Sequence, residues 1–380
     1  MFRIITNMKT LAYILDKIIK AQVSHAIWCR LVVFTVFIVI GGAALLVYAV
    51  DPFYHYRSPS FYDKVYYEVY ATAPGLMRDE DFDTIMLGTS MVRNFYISDI
   101  DNAFHCKSIK FAASGGTMED LKKMLDVAIA EKNGRLKRVI LSLDIYPLNK
   151  TEAHYKDFDY LYRKGHSEDY RYLFSRKSFE RMYYLLKRKW RPKRRRAHQT
   201  DRNRMFATDY EGKPHGLQEI MKDAIHNKEK NHRLTSYNEE AYKRNLKTEL
   251  LPMIDDNPQL EFIVFMPPYH IYTYCQSEEF NEADTLIKQK SETMKELLKH
   301  KNVQLFDFQS NASYMCNHDF FSDVQHFNNN AAKLLIEDIL AGRGRILTEE
   351  DVMESERTLR KLIEKNMPIY YQHLKEYKAE

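Results

Sequence analysis

The chain has 380 residues, of which 45% are apolar, and it carries a formal net charge of +5. This length and apolar fraction allow one large domain or two small ones with a proper core. Because glycines number only 12 while tyrosines and phenylalanines number 27 and 21, the composition argues against disorder, collagen-like repeats and all-β propellers.

The first feature along the chain is an uncharged, apolar run of twenty residues from Leu31 to Val50, which is the length of a bilayer-spanning helix. Basic residues precede this run and Asp51 follows it directly. By the positive-inside rule, residues 1–30 lie in the cytoplasm, and the rest of a single-pass plasma-membrane protein lies outside. A cleaved signal peptide and a buried core helix are the alternatives.

The organisation after this run predicts one α/β domain over residues 80–345. Residues 51–79 are aromatic and polar, which is typical of a juxtamembrane segment with rings at the interface. In the domain, apolar strands without alternation are separated by helical patterns, which indicates a parallel sheet covered on both faces. Strands are predicted at 84–87, 139–143, 262–266 and 303–306, and helices at 118–133, 283–300 and 329–340, the first of them with a capping box at Thr117.

Residues 150–235 interrupt this rhythm as a basic, helical insertion, and residues 346–380 are predicted to form a charged C-terminal helix. The segment 187–196 has eight basic residues in ten. It is either a solvated charge run or a contact with a polyanion, such as phospholipid head groups or an anionic wall polymer. Its expected exterior location argues against nucleic acid.

The cysteines and histidines show no metal-ligand spacing, so neither a metal nor another cofactor is predicted. Cys106, Cys275 and Cys316 lie in the expected exterior part. The odd number leaves at least one of them unpaired, and Cys275 and Cys316 are candidates for a disulfide.

The candidate site begins with Ser90, which follows the first predicted strand in Gly88-Thr89-Ser90. Ligands of parallel sheets bind outside the carboxyl ends of the strands, and a helix starting near Met91 would aim its N–H groups at a developing oxyanion. Asp323 and His326 lie three apart before the last predicted helix. A serine needs a base, and the histidine needs a carboxylate to orient it.

Three motifs resemble the SGNH/GDSL hydrolase family. They are Gly88-Thr89-Ser90 after a strand, Ser114-Gly115-Gly116 before a helix, and Asp323-Val324-Gln325-His326 before the last helix. Their order along the chain fits, and the resemblance covers roughly residues 80–150 and 255–342. It implies a three-layer α/β/α sandwich with a central parallel sheet, here preceded by one transmembrane helix.

Carried over to this chain, the resemblance makes Ser90 the nucleophile, His326 the general base and Asp323 its orienting partner. The backbone N–H of Gly115 or Gly116, with Gly116 preferred, would join that of Ser90 in the oxyanion hole. His270, in the Pro267–His270 segment after the third predicted strand, is expected to line the same cleft and is kept as a rival base.

The chain departs from the family at one oxyanion position, where members usually carry an asparagine. Asp144 stands near this place, and Asn149, the nearest amide in the sequence, comes too late. An ionised Asp144 would repel an oxyanion, and losing one donor costs on the order of a hundredfold in rate. Alternatively, Asp144 would bind a substrate hydroxyl or a cationic amine.

One N-terminal anchor before an extracytoplasmic domain of this kind also resembles a smaller group. It includes the D-alanine transfer protein of teichoic acid synthesis and the O-acetylation proteins of alginate-type polysaccharides, which work beside a multispanning membrane-bound O-acyltransferase. The resemblance implies a serine esterase or O-acyltransferase that acts on an envelope polysaccharide or teichoic-acid-like polymer. Two alternatives stay open: a non-catalytic binding or assembly protein that holds an anionic polymer, and a lipid-directed esterase.

Overall fold

The computed structural model describes residues 25–189, 200–207, 212–229 and 237–379. Its helices in chain order are α1 (His25–Val50), α2 (Val69–Asp79), α3 (Ile97–Phe104), α4 (Met118–Lys132), α5 (Asp169–Leu173), α6 (Arg176–Lys189), α7 (Leu217–Glu229), α8 (Glu239–Asn245), α9 (Leu251–Asp255), α10 (Ile271–Glu279), α11 (Ala283–Leu297), α12 (Ala312–Met315), α13 (Asn329–Leu340) and α14 (Glu349–Ala379). Its strands are β1 (Thr84–Gly88), β2 (Ser108–Ala112), β3 (Arg138–Ser142), β4 (Glu261–Met266), β5 (Val303–Asp307) and β6 (Arg345–Ile346).

Helix α1 is, within the described part of the chain, the one helix long and apolar enough to cross a membrane. It has 26 residues and therefore begins six residues before the predicted span. Only 6% of its most apolar window is buried, which argues against the core-helix alternative. Apolar side chains that face outward all round a helix are typical of a lipid-facing segment.

The segment 51–79 packs into the body of the protein instead of forming an interfacial belt. Phe53 and Tyr54 are buried in the main core, as is most of α2. The carboxylate of Asp51 accepts hydrogen bonds from the backbone N–H groups of residues 55, 56 and 57 and from the hydroxyl of Tyr172. These bonds tie the end of α1 to the α/β body.

The six strands form one sheet in the order β2-β1-β3-β4-β5-β6. Strands β1 to β5 are parallel, and β6 pairs antiparallel with β5 at the edge. Every residue of β1 and β2 is buried, which shows that both faces of the sheet are covered. The strand order reverses between β1 and β3, and parallel sheets bind ligands at such a switch point.

All four predicted strands are confirmed, as β1, β3, β4 and β5. Strands β2 and β6 were not predicted. Strand β2 contains Lys110, a residue that is rare in buried strands. Its ammonium is completely buried and donates to the backbone carbonyls of Arg93 and Phe95 at 2.8 and 2.5 Å. These hydrogen bonds offset the cost of burying the ammonium of Lys110.

The predicted helices are also confirmed, with α11 ending three residues early. Thr117 and Asp120 form both arms of the capping box at the start of α4. The C-terminal helix α14 is held to the sheet by a buried ion pair. Lys290 on α11 lies 2.9 Å from Asp307 at the end of β5, and Ser355 of α14 bonds to both residues.

The basic insertion contains α5, α6 and α7 in its described part. Of the basic segment 187–196, for which a solvated charge run and a polyanion contact were the alternatives, residues 190–196 lie outside the described residues. Cys275 and Cys316, the candidate pair for a disulfide, are both free.

Candidate active site

Ser90 lies at the carboxyl end of β1, at the switch point of the sheet. A Cβ atom on Gly88 would stand 2.7 Å from Cγ1 of Val92 and 2.9 Å from Cβ of Ser142, so only glycine allows this close turn. The expected helix near Met91 is a single 3-10 turn over Ser90–Val92, and α3 begins only at Ile97. A full helix N-terminus therefore does not support Ser90.

The loop that carries Asp323 and His326 is closed by a β-bridge between Phe321 and Phe327. Asn94, four residues after Ser90, donates from its amide to the Phe327 carbonyl at 2.5 Å. Asn329 donates in turn to the Asn94 carbonyl at 2.6 Å. These two hydrogen bonds hold the loop of Asp323 and His326 against the segment that follows β1.

The structure brings all three predicted catalytic residues together. The Oγ atom of Ser90 lies 2.7 Å from Nε2 of His326. On the other side of the ring, Nδ1 lies 2.9 Å from Oδ2 and 3.1 Å from Oδ1 of Asp323. The three groups form a continuous hydrogen-bonded chain with the separations that a nucleophile–base–carboxylate relay requires.

The partners of His326 fix its tautomer. An ionised carboxylate only accepts hydrogen bonds, so the proton of the neutral ring is on Nδ1 and Nε2 accepts from the Ser90 hydroxyl. Burial works to raise the pKa of Asp323, but the charge of His326 and bonds from the N–H groups of Gln325 and His326 hold this pKa below its usual range. Asp323 therefore stays ionised beside the His326 ring.

A pocket of about 190 Å³ opens at Ser90. Its lining residues are Thr89, Ser90, Met91, Gly115, Asp144, Tyr146, Tyr269 and Gln325. Gly115 has a φ of +66°, a conformation that favours glycine. Within the described part of the chain, no group accepts a hydrogen bond from the N–H of Ser90 or of Gly115, which leaves both for an oxyanion.

Gly116, the preferred oxyanion donor in the sequence analysis, is not placed for this role. Its N–H donates to the carbonyl of Ala113 at 2.8 Å, and Gly116 does not line the pocket. The tight turn at Ala113–Gly116 thus consumes one of the two glycine N–H groups. Gly115 is the better candidate of the pair.

Asp144 lines the pocket and is 1% exposed. Its carboxylate accepts from the hydroxyl of Thr89 at 2.8 Å and from the N–H of Tyr146 at 3.1 Å. Burial raises its pKa to about 6, although these bonds and one from Tyr269 act in the opposite direction. Because both oxygens are held by neighbours, Asp144 joins the ends of β1 and β3.

Gln325 also lines the pocket, although it was not predicted as a site residue. It carries the one side-chain amide among the described residues that line the Ser90 pocket. Asn149 instead donates to Ile145 and Gln289 and lies in a second, polar groove of about 670 Å³. This groove shares Gly115 and Tyr146 with the Ser90 pocket. The position of Gln325 inside the Asp323–His326 motif was its only signal.

His270 is not placed beside Ser90. It is fully buried, and its Nε2 lies 2.9 Å from Nδ1 of His318. Burial, with His318 and His373 nearby, holds its pKa well below the usual range. Its backbone N–H donates to the carbonyl of Val324 at 3.1 Å, so His270 is bonded to the loop that carries Asp323 and His326. Tyr269 alone of the Pro267–His270 segment lines the pocket.

Comparison with family models, curated proteins and solved structures found no match for this chain.

One cluster in the described residues has metal-ligand geometry: His55, His166 and Asp169. The Arg78 guanidinium lies 3.4 Å from Nδ1 of His55, and Nε2 lies 3.0 Å from Asp169. Because Arg78 can only donate, Nδ1 is the acceptor and the neutral ring carries its proton on Nε2. Nε2 then has no lone pair for a metal. We therefore interpret the cluster as a hydrogen-bond network that stabilises the fold.

Proposed function

We propose that this chain is a membrane-anchored, extracytoplasmic serine esterase or O-acyltransferase of the SGNH type. Its substrate would be an ester on a cell-envelope polysaccharide or teichoic-acid-like polymer. The observation that carries the proposal is the continuous chain from Ser90 through His326 to Asp323. The parallel sheet, with Ser90 at its switch point, supports the same reading.

The geometry supports a two-step reaction through an acyl-serine. Ser90 Oγ attacks the acyl carbonyl while Nε2 of His326 takes its proton, and Asp323 stabilises the imidazolium. The N–H groups of Ser90 and Gly115 bind the oxyanion. The imidazolium then protonates the leaving alcohol, and an ester forms between the acyl group and Ser90.

In the second step, water or an acceptor hydroxyl attacks the acyl-serine, and His326 removes its proton. The bond between Ser90 Oγ and the acyl group then breaks, Oγ takes the proton back from His326, and the free acid or the new ester is released. The polar groove that adjoins the Ser90 pocket is lined by two tyrosines, two asparagines, Lys150 and acidic side chains. This lining suits a hydroxyl-rich acceptor, since sugars bind to aromatic faces and hydrogen-bonding groups. A multispanning membrane-bound O-acyltransferase is the proposed donor partner.

The attachment of α1 to the body supports an uncleaved anchor. Val47 and Val50, at the end of α1, are 0% and 5% exposed, and the carboxylate of Asp51 is part of a buried network. Cleavage after Ala49 would remove Val47 from the core. The proposed exterior orientation rests on the basic residues before the span.

Asp144 favours one second candidate function, a non-catalytic binding or assembly protein. A carboxylate with a pKa of about 6 stands where the resembled family has an oxyanion-binding amide. Such a protein would hold an anionic polymer and recruit a membrane enzyme, and its Ser90 would not be activated.

Labelling with a fluorophosphonate separates these two functions, because an activated serine attacks its phosphorus, displaces fluoride and is left as a stable phosphonate ester. The full chain in detergent is examined by intact mass as wild type, Ser90→Ala and His326→Ala. Ser98→Ala, an exposed serine outside the pocket, is the matched control. A single adduct in the wild type and the control, absent from the other two, is expected. A folded wild type without an adduct favours the assembly function, and an adduct on Ser90→Ala excludes Ser90 as the nucleophile.

A further inference from the structure

The two ends of α1 mark where a bilayer would lie. Trp28 and Tyr48 are 61% and 43% exposed, and these residue types concentrate at the two membrane interfaces. Their twenty-position separation corresponds to about 30 Å of helix, the thickness of the hydrocarbon core. If α1 spans the membrane, Tyr48 and Val50 therefore lie at the level of the head groups.

Helix α6 is held at this same level. Its Leu185 packs with Val50 and Val65 in a small buried apolar cluster. The preceding helix, α5, is attached too, because the hydroxyl of Tyr172 donates to the Asp51 carboxylate at 2.7 Å. The hydroxyl of Tyr62 caps the end of α1 by donating to the carbonyls of Val50 and Asp51, both at 3.0 Å. The α5–α6 pair cannot move away from the outer end of α1 without breaking these contacts.

The outer surface of this pair, which we call the α5–α6 face, combines apolar and basic side chains. Its four exposed apolar residues, between 36% and 64% exposed, are Tyr170, Phe174, Tyr183 and Leu186. Lys187 is exposed on the same helix, and its ammonium lies 5.8 Å from the centre of the Tyr183 ring. The exposed Arg176 is paired with Glu180 at 2.7 Å. This mixture is typical of helices that lie in a membrane interface.

We propose that the α5–α6 face lies against the phospholipid head groups of the bilayer that α1 crosses. Its aromatic and leucine side chains enter the interface, and Lys187 contacts lipid phosphate. Two observations favour lipid: both helices are attached to the outer end of α1, and the positive charge of Lys187 is complementary to anionic phosphate. The protein then has two membrane attachments, which restrict rotation of the Ser90 pocket about α1.

Tryptophan quenching by brominated lipid tests the proposal in full-length protein reconstituted in nanodiscs. The two native tryptophans, Trp28 and Trp190, are replaced by phenylalanine. Single tryptophans are then introduced as Tyr183→Trp on the face, Leu45→Trp on α1, and Tyr371→Trp on α14. Position 371 is 42% exposed and serves as the matched aromatic control. Fluorescence is compared between brominated and ordinary phospholipid.

Brominated lipid is expected to remove most of the fluorescence at positions 183 and 45 and to leave position 371 unchanged. Charge reversal by Lys187→Glu in the Tyr183→Trp protein is expected to lower the quenching, more strongly in nanodiscs with anionic lipid than in phosphatidylcholine alone.

The proposal is overturned if the tryptophan at position 183 is unquenched while the one at position 45 is quenched. If the tryptophan at position 183 is then accessible to aqueous iodide, the α5–α6 face is free for a protein partner. An unquenched tryptophan at position 45 also overturns the proposal, because α1 then does not cross the bilayer. Fluorophosphonate labelling of Ser90 is independent of all these outcomes.

Discussion

The Oγ atom of Ser90 lies 2.7 Å from Nε2 of His326, although 236 positions separate the two residues. Two different elements supply them: the carboxyl end of β1 and the loop before α13. The amide of Asn94, which donates to the Phe327 carbonyl, fastens these elements together directly beside the contact. The proposed reaction depends on this contact, and the following experiments examine it and its surroundings.

Asp323→Asn tests the orienting role of the carboxylate. An amide permits the wrong imidazole tautomer, and in serine hydrolases with this arrangement such a change lowers kcat about 10⁴-fold. We expect a loss of this order for hydrolysis of a short-chain aryl ester, with Tm nearly unchanged. Asp319→Asn, which changes an exposed aspartate in the turn just before this loop, serves as the control. A fully active Asp323→Asn protein would show that another group orients His326.

Asp144→Asn tests the raised pKa of the buried carboxyl. The carboxyl titrates near 6 in the folded protein and near 3.8 in the unfolded chain. The native state therefore binds the extra proton between these values, and wild-type stability falls as pH rises from about 4 to 7. The full loss is about 3 kcal/mol.

The amide variant lacks this loss, so its free energy of unfolding should gain on the wild type by about this amount between pH 4 and 7. Urea unfolding at several pH values measures the difference. Asp256→Asn, which changes an exposed carboxyl, should stay parallel to the wild type. If the Asp144→Asn curve is parallel too, the Asp144 pKa is not raised.

Gln325→Leu tests whether the pocket amide stabilises the oxyanion. Leucine keeps similar volume but removes the donor, and the loss of one such donor lowers kcat by about 10²- to 10³-fold. We expect kcat for the aryl ester to fall with little change in KM. Gln259→Leu, an exposed position far from the motif in sequence, is the control. An unchanged kcat would mean that the Ser90 and Gly115 N–H groups act without this amide.

Gly88→Ala tests the close turn that presents Ser90. The added methyl group would stand 2.7 Å from Val92 and 2.9 Å from Ser142, and such overpacking costs about 1–3 kcal/mol. Because Ser90 is two residues away, fluorophosphonate labelling should slow as well. Gly41→Ala adds a methyl group with no atom within 4 Å and should change neither quantity. Normal labelling in Gly88→Ala would show that the turn adapts without moving Ser90.

Local pattern was sufficient for much of the fold. The strands at Thr84, Val139 and Phe262 are short, mainly apolar runs without alternation, and the capping box at Thr117 depends on groups only three residues apart. Strand β2 escaped prediction because the partners of Lys110 are backbone carbonyls of another segment. The aromatic residues at 53 and 54 were assigned to the interface because their buried position depends on distant α5 and α2.

For the site, the sequence by itself determined which chemical groups are present: a serine after a strand, and a carboxylate and an imidazole three residues apart. Only the tertiary structure decided that His326 reaches Ser90 while His270 faces His318. It also decided that Gly115 and Gln325 line the pocket while the N–H of Gly116 is used in a turn. The physical reason is that residue type and periodicity act over a few neighbouring positions. The direction of a side chain or a backbone N–H depends on packing between segments that are far apart along the chain.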